Sequence, residues 1–200
     1  VRACELDGAP GRELAIASGA SVGVLRHQGQ RSFAYVAGPN LTYTSSILQV
    51  VDFDGDGFDD LLLSGRRFDS YLPRHGAALV RGDGAGGLGP EALLSTSHAG
   101  PPFVWAANLN AQDPIDLWID TPEESYALVR TNTVVTQVSL AFPRSGIPLV
   151  VGDFDADGDA DLVRASDRSG EAEIWRNETR YSLRIPFDET AGDTLHDAAA

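Results

Sequence analysis

Residues 50–63 read VVDFDGDGFDDLLL, with five Asp and two Gly between positions 52 and 60 and leucines directly after them. Carboxylates crowded this closely repel one another unless a cation sits among them. In the register D-x-D-x-D-G-x-x-D the stretch offers Asp52, Asp54, Asp56 and Asp60, with Gly57 at the sharp turn and the carbonyl of Phe58 as a fifth oxygen. A second stretch, LVVGDFDADGDADLVRAS at 149–166, offers Asp153, Asp155, Asp157 and Asp161, with Gly158 at the turn and the carbonyl of Asp159. Hard oxygen ligands at alternate positions suit Ca²⁺, which accepts six to eight of them in flexible geometry, better than Mg²⁺. Two such sites are expected. A soft metal is excluded by the lack of a nearby thiolate or paired His.

The competing explanations are structural. An EF-hand needs Glu at its twelfth position, where these loops have Leu63 and Arg164, and helical flanks, where these are strand-like. A metal-free hairpin closed by Asx turns is the other alternative.

The Asp stretch recurs along the chain. VWAANLNAQDPIDLWID (104–120) keeps its frame with Asn108, Asn110 and Gln112 for Asp and Pro114 at the carbonyl position, and ACELDGAPGRELAIAS (3–18) is a fainter copy with Glu5, Asp7, Ala9 and Glu13. Both are expected to be empty of metal. Aligning the last acid of each copy gives Glu13, Asp60, Asp116 and Asp161, with spacings of 47, 56 and 45 residues. Short Val, Ile and Leu-rich segments flank each copy, further strand-like segments such as YALVR, VVTQVSLAF, AEIWR and YSLRIPF follow, and Gly, Pro, Asn or Ser turns separate them. No window holds helical periodicity. About four short strands per repeat predict an all-β chain built as a β-propeller of four-stranded blades, one domain over 1–200. About four blades form either a small closed ring or part of a larger one. Both chain ends look cut inside a blade, which favours the larger ring.

These stretches resemble the calcium-binding loops of FG-GAP and VCBS-type repeats, the blades of integrin α-subunit propellers and of many secreted bacterial proteins. LVRGDGAGGLGPEALL (79–94) is similar to the outer turn of the same repeats, with Leu88 where an aromatic is usual. The resemblance implies a propeller with Ca²⁺ in its hairpin loops. It implies no single activity, because function is carried by sites grafted on a fold.

Composition narrows the partners. A net charge of −14 and a pI near 4.5 argue against nucleic acid or an anionic membrane surface as the partner. No apolar run is long enough to span a bilayer. Cys4 is the only cysteine, so no internal disulfide forms. The fifteen cations are all Arg and there is no Met.

Other motifs lack their context. Gly19-Ala20-Ser21-Val22-Gly23 matches a nucleophile elbow without the helix that must follow it, and Gly82–Gly87 matches G-x-G-x-x-G without a strand-to-helix setting. Both are expected to be turns. His27 and His75, each preceded by Arg, suggest equivalent blade positions. Trp105, Trp118 and Trp175 are expected in the core. The Asp clusters sit too tightly on one turn to divide into the acid and base of a glycosidase. The expected function is a non-enzymatic, Ca²⁺-stabilised propeller, secreted or at the cell surface, that binds a protein or glycan, with flanking domains or blades of a larger chain as further partners. The alternative is the propeller portion of a secreted enzyme or toxin.

Overall fold

The computed structural model describes residues 1–67, 74–109, 115–131, 134–140, 147–165 and 172–175. They are all-β, with no helix among them. Among the described residues, fifteen strands fall into four sheets. The first holds β1 (Arg2–Cys4), β2 (Glu13–Ser18), β3 (Ser21–His27) and β4 (Phe33–Asn40). The second holds β5 (Thr44–Val51), β6 (Asp60–Arg67), β7 (Arg74–Gly82) and β8 (Leu88–Ser97). The third holds β9 (Phe103–Ala107), β10 (Asp116–Asp120), β11 (Ser125–Thr131) and β12 (Val134–Leu140). The fourth holds β13 (Ile147–Gly152), β14 (Asp161–Ala165) and β15 (Ala172–Trp175).

Each sheet follows chain order, strand beside next strand. Short Gly, Asp and Asn turns leave no room for a crossover, so each strand pairs with the one it has just left. The repeat predicted from the acid spacing is therefore one meandering sheet. The expected strand YSLRIPF (181–187) lies outside the described residues.

The chain divides into two compact units, Val1–Ala106 with Trp118–Tyr126, and Ala107–Leu117 with Ala127–Ala200. In the first unit, β1 and β2 lie near β5, and β4 lies beside β8. Its core joins Cys4, Ala15, Val22 and Val24 of the first sheet, and Leu6 of the loop between β1 and β2, to Ile47, Leu61, Leu63 and Val80 of the second. Leu61, Leu62 and Leu63 are consecutive, yet all are at most 1 % exposed. Neighbouring residues on a strand point to opposite faces, so an unbroken apolar run is what a strand covered on both faces requires. β4 alternates between exposed and half-buried residues instead, as suits a strand at the end of its sheet.

Trp118 is in the core, 4 % exposed. Trp105 stacks on Phe103 with ring centroids 5.7 Å apart, and Phe103 is 41 % exposed, so that pair reaches the surface. Trp175 lies in β15.

Candidate metal centre

Each acidic stretch forms the hairpin loop between the first two strands of its sheet. We number these loops 1 (Glu5–Glu13), 2 (Asp52–Asp60), 3 (Asn108–Asp116) and 4 (Asp153–Asp161) by sheet, and count nine positions within each. In loop 3, Asn110, Gln112 and Pro114 lie outside the described residues.

The ninth position behaves alike in all four. The N–H of position two donates to the ninth carboxylate: Leu6 to Glu13 at 3.0 Å, Phe53 to Asp60 at 3.1 Å, Leu109 to Asp116 at 3.0 Å and Phe154 to Asp161 at 2.9 Å. All four acids are at most 1 % exposed. A charge-assisted bond across the base of the loop satisfies an N–H that no strand partner reaches. The ninth acid is therefore a staple first.

Loop 2 is built around its first residue. Asp52 Oδ1 accepts the N–H of Gly55 at 2.7 Å and of Asp56 at 3.1 Å, and Oδ2 accepts that of Gly57 at 2.9 Å. Gly55 and Gly57 have φ of +78° and +91°, the left-handed region where a side chain is strained. The Phe58 N–H donates to Asp56 Oδ1 at 2.9 Å. The Phe58 ring lies against Gly84, where an added Cβ would come within 2.9 Å of it. This folding brings carboxylate oxygens of Asp52, Asp54 and Asp56 within 4.8 Å of one another.

Asp60 stands outside that trio. Its Oδ2 is taken by Phe53, and its Oδ1 accepts the Gly82 N–H at 2.9 Å. Burial pushes its pKa up to about 6, helped by the charges of Asp54 and Asp56 and opposed by the Gly82 and Phe53 N–H groups.

Loop 4 converges differently. Asp153 again collects N–H groups, from Ala156 at 2.6 Å and Gly158 at 3.2 Å. The trio within 4.8 Å is here Asp153, Asp155 and Asp161, so the ninth acid joins and Asp157 does not. Asp157 is exposed and its Oδ1 accepts the N–H of Asp159, whose residue is 1 % exposed.

Loop 1 also brings its acids together. Glu5, Asp7 and Glu13 have carboxylate oxygens within 4.8 Å of one another. Glu5 accepts the Gly8 N–H at 2.9 Å, and Asp7 that of Ala9 at 2.9 Å. All three trios present only oxygen, the donor set of a hard divalent cation, and each could hold one.

Two contributors were not singled out from the sequence. Arg26 Nε donates to Asp7 Oδ2 at 2.9 Å, and Arg81 Nε lies 3.3 Å from Asp54 Oδ2. Each is the arginine near the end of its sheet's third strand, set against position three of its own loop. The shared sequence signal is an aliphatic-Arg pair, Leu25-Arg26 and Val80-Arg81. Asp59, the one carboxylate of its stretch outside the ligand register, has a separate task. Its N–H donates to the Glu5 carbonyl at 2.7 Å, and its Oδ2 accepts the Glu5 N–H at 2.7 Å, with Arg12 3.9 Å away. Loops 1 and 2 are thus clamped together. Loops 3 and 4 repeat the link at the same positions, the Ala160 N–H donating to the Asn108 carbonyl at 2.6 Å.

One expected equivalence fails. Leu14 pairs with Leu25 as Leu61 pairs with Val80, so Arg26 matches Arg81 and His27 matches Gly82. His75 begins β7, whereas His27 ends β3. The two Arg-His pairs are unrelated positions. Ser21 follows the β2–β3 turn and opens a strand, and Gly82–Gly87 closes the β7–β8 hairpin. Asp83 holds that turn by accepting the N–H groups of Ala85 and Gly87, each at 2.8 Å.

No protein-family model matches the chain, and no curated protein matches it. Among solved structures it is similar to a lectin of Agrocybe aegerita, described for specific recognition of non-reducing terminal N-acetylglucosamine. The TM-score is 0.43 and the identity 12 %, over 92 % of this chain and 64 % of that lectin's. The likeness is too loose to assign a fold or a ligand.

Proposed function

We propose that this chain is a Ca²⁺-stabilised β-propeller module of the FG-GAP and VCBS type, secreted or at the cell surface, that binds a protein or glycan and performs no catalysis. The observation that carries it is the recurrence of a carboxylate trio in the hairpin at one end of a sheet, at Asp52, Asp54 and Asp56 and again at Asp153, Asp155 and Asp161. A three-carboxylate cluster on a tight turn needs balancing positive charge, and in loop 2 Arg81 reaches one carboxylate only.

The propeller part of the reading is supported by succession. Four sheets in chain order have the same meander, and the same position-eight to position-one hydrogen bond joins loop 2 to loop 1 and loop 4 to loop 3. Blades laid side by side repeat their neighbour contacts in this way.

In loop 2, Ca²⁺ would be held by the trio, with the Phe58 carbonyl as a further oxygen. In loop 4 the trio would hold it, with Asp157 and the Asp159 carbonyl as the further oxygens expected from the sequence register. The ion supplies charge neutralisation and fixes the loops. Rigid loops of this kind then offer a preorganised surface to a partner.

Calorimetric titration of the full chain with Ca²⁺ tests this directly. Uptake is expected, and a hundredfold excess over Kd adds about 2.7 kcal/mol of stability. A chain that takes up no Ca²⁺ and melts at the same temperature with and without chelator would sink the proposal.

A further inference from the structure

We infer that loop 1, whose sequence departs from the repeating pattern, is itself a divalent cation site formed by Glu5, Asp7 and Glu13. The inference rests on the calcium reading of loops 2 and 4 for its choice of ion. Its own support is a buried oxygen. Glu13 is 0 % exposed; its Oε2 accepts the Leu6 N–H at 3.0 Å, and its Oε1, buried with it, has no hydrogen-bond partner among the described residues. In loop 2 the corresponding atom, Asp60 Oδ1, is satisfied by Gly82. A buried carboxylate oxygen with neither donor nor counter-charge is strongly unfavourable. A Glu13 carboxylate oxygen lies within the group whose atoms come within 4.8 Å of one another, so an ion among Glu5, Asp7 and Glu13 gives this buried carboxylate a counter-charge.

The charges agree. Three carboxylates meet one guanidinium, Arg26 on Asp7 at 2.9 Å, which leaves two negative charges for a divalent ion to balance. The substitutions in the loop also compensate one another. Ala9 removes the carboxylate that Asp56 provides in loop 2, and Glu13, one methylene longer than Asp60, makes the staple with one oxygen while the other is left over. The resulting set, positions one, three and nine, is the set that converges in loop 4. Three carboxylates leave the rest of the coordination shell to water, so the site suits Ca²⁺ or Mg²⁺ at weaker affinity than a loop with four.

The test is a count of Ca²⁺ bound per full-length chain by equilibrium dialysis, with far-UV circular dichroism to verify folding. The D52N/D153N variant, which disables loops 2 and 4, is expected to keep one ion. Adding E13Q is expected to remove it, and E13Q alone to lower the wild-type count by one. D7N leaves the Glu13 staple in place and is expected to lose the same ion, so it decides the matter if E13Q fails to fold. Binding by wild type but none by D52N/D153N overturns the inference and leaves the calcium reading of loops 2 and 4 standing. Retention of the ion by the two triple variants overturns it equally, and no uptake by wild type overturns both.

Discussion

Loops 1 and 2 lie side by side, joined by the two hydrogen bonds between Glu5 and Asp59. They share a staple, an arginine on position three and a left-handed fourth residue, Gly8 at φ +67° and Gly55 at +78°. They differ in how the ninth acid spends its second oxygen. Asp60 gives both oxygens to backbone N–H groups, and the trio forms from positions one, three and five. Glu13 gives one, and the trio forms from positions one, three and nine. The ninth acid thus has a purely structural task in loop 2 and one shared with the cluster in loop 1, as Asp161 has in loop 4.

The largest effect should come from the staples themselves. Asp60→Ala strands the buried N–H of Phe53 and the part-buried N–H of Gly82, at about 1–3 kcal/mol for the first and the low end of that range for the second. Glu13→Ala strands one and relieves a buried oxygen. In calcium-free urea denaturation, Asp60→Ala should therefore lose at least twice the stability that Glu13→Ala loses. Equal losses would show that Asp60 Oδ1 contributes nothing through Gly82.

Filling the gap in loop 1 comes next. Ala9→Asp restores the fifth-position carboxylate that loop 2 has in Asp56, and should tighten Ca²⁺ at loop 1 by about tenfold, or 1.4 kcal/mol. The opposite change, Asp56→Ala, should nearly abolish binding at loop 2, because Asp60 is committed to its staple and is not free to replace it. Calorimetry on each variant measures both. If Asp56→Ala keeps its loop 2 ion, the ninth acid is interchangeable after all and the contrast between the loops dissolves.

The link between the loops gives a smaller effect of a different kind. Asp59 faces Glu5, not the Asp52, Asp54 and Asp56 trio. Asp59→Ala should leave the Ca²⁺ affinity of loop 2 nearly unchanged while costing about 1 kcal/mol of stability, since the Glu5 N–H loses a charged acceptor that is only part-buried. A parallel drop in loop 2 affinity would place Asp59 in the site.

Much of this was legible in the sequence. Alternation of Asp with small residues, followed by an unbroken Leu run, fixed loop and buried strand together, since charge cannot enter the sheet and Leu61–Leu63 cannot leave it. The spacing of Glu13, Asp60, Asp116 and Asp161 located the four sheets because the ninth acid occupies one structural position in each. Its direction was not legible. Nothing in D-x-D-x-D-G-x-x-D says that the last acid turns toward the position-two N–H, a bond set by the loop's closure. Arg26 and Arg81 escaped notice because their partners are brought to them by strand pairing across a hairpin, not by sequence proximity. Loop 1 was expected to be empty because a motif compares residues position by position, whereas Ala9 and Glu13 compensate across positions.

The smallest effect isolates backbone strain from ligand chemistry. At the fourth position loops 1 and 2 have Gly8 and Gly55, but loop 4 has Ala156, held at φ +64° with its N–H on Asp153 Oδ1. An L-residue with a Cβ is disfavoured there by about 1 kcal/mol, and Gly is not, although Gly loses more freedom on folding. Ala156→Gly should accordingly stabilise the calcium-free chain by a few tenths of a kcal/mol, and Gly55→Ala should destabilise it by about 1 kcal/mol. Both changes leave every carboxylate in place, so the number of Ca²⁺ ions bound should not change in either. Thermal melts of the two variants check the pair of signs. Should Ala156→Gly lower the melting temperature, the left-handed turn in loop 4 is held by its bonds to Asp153 tightly enough that the extra backbone freedom of Gly outweighs the strain it removes.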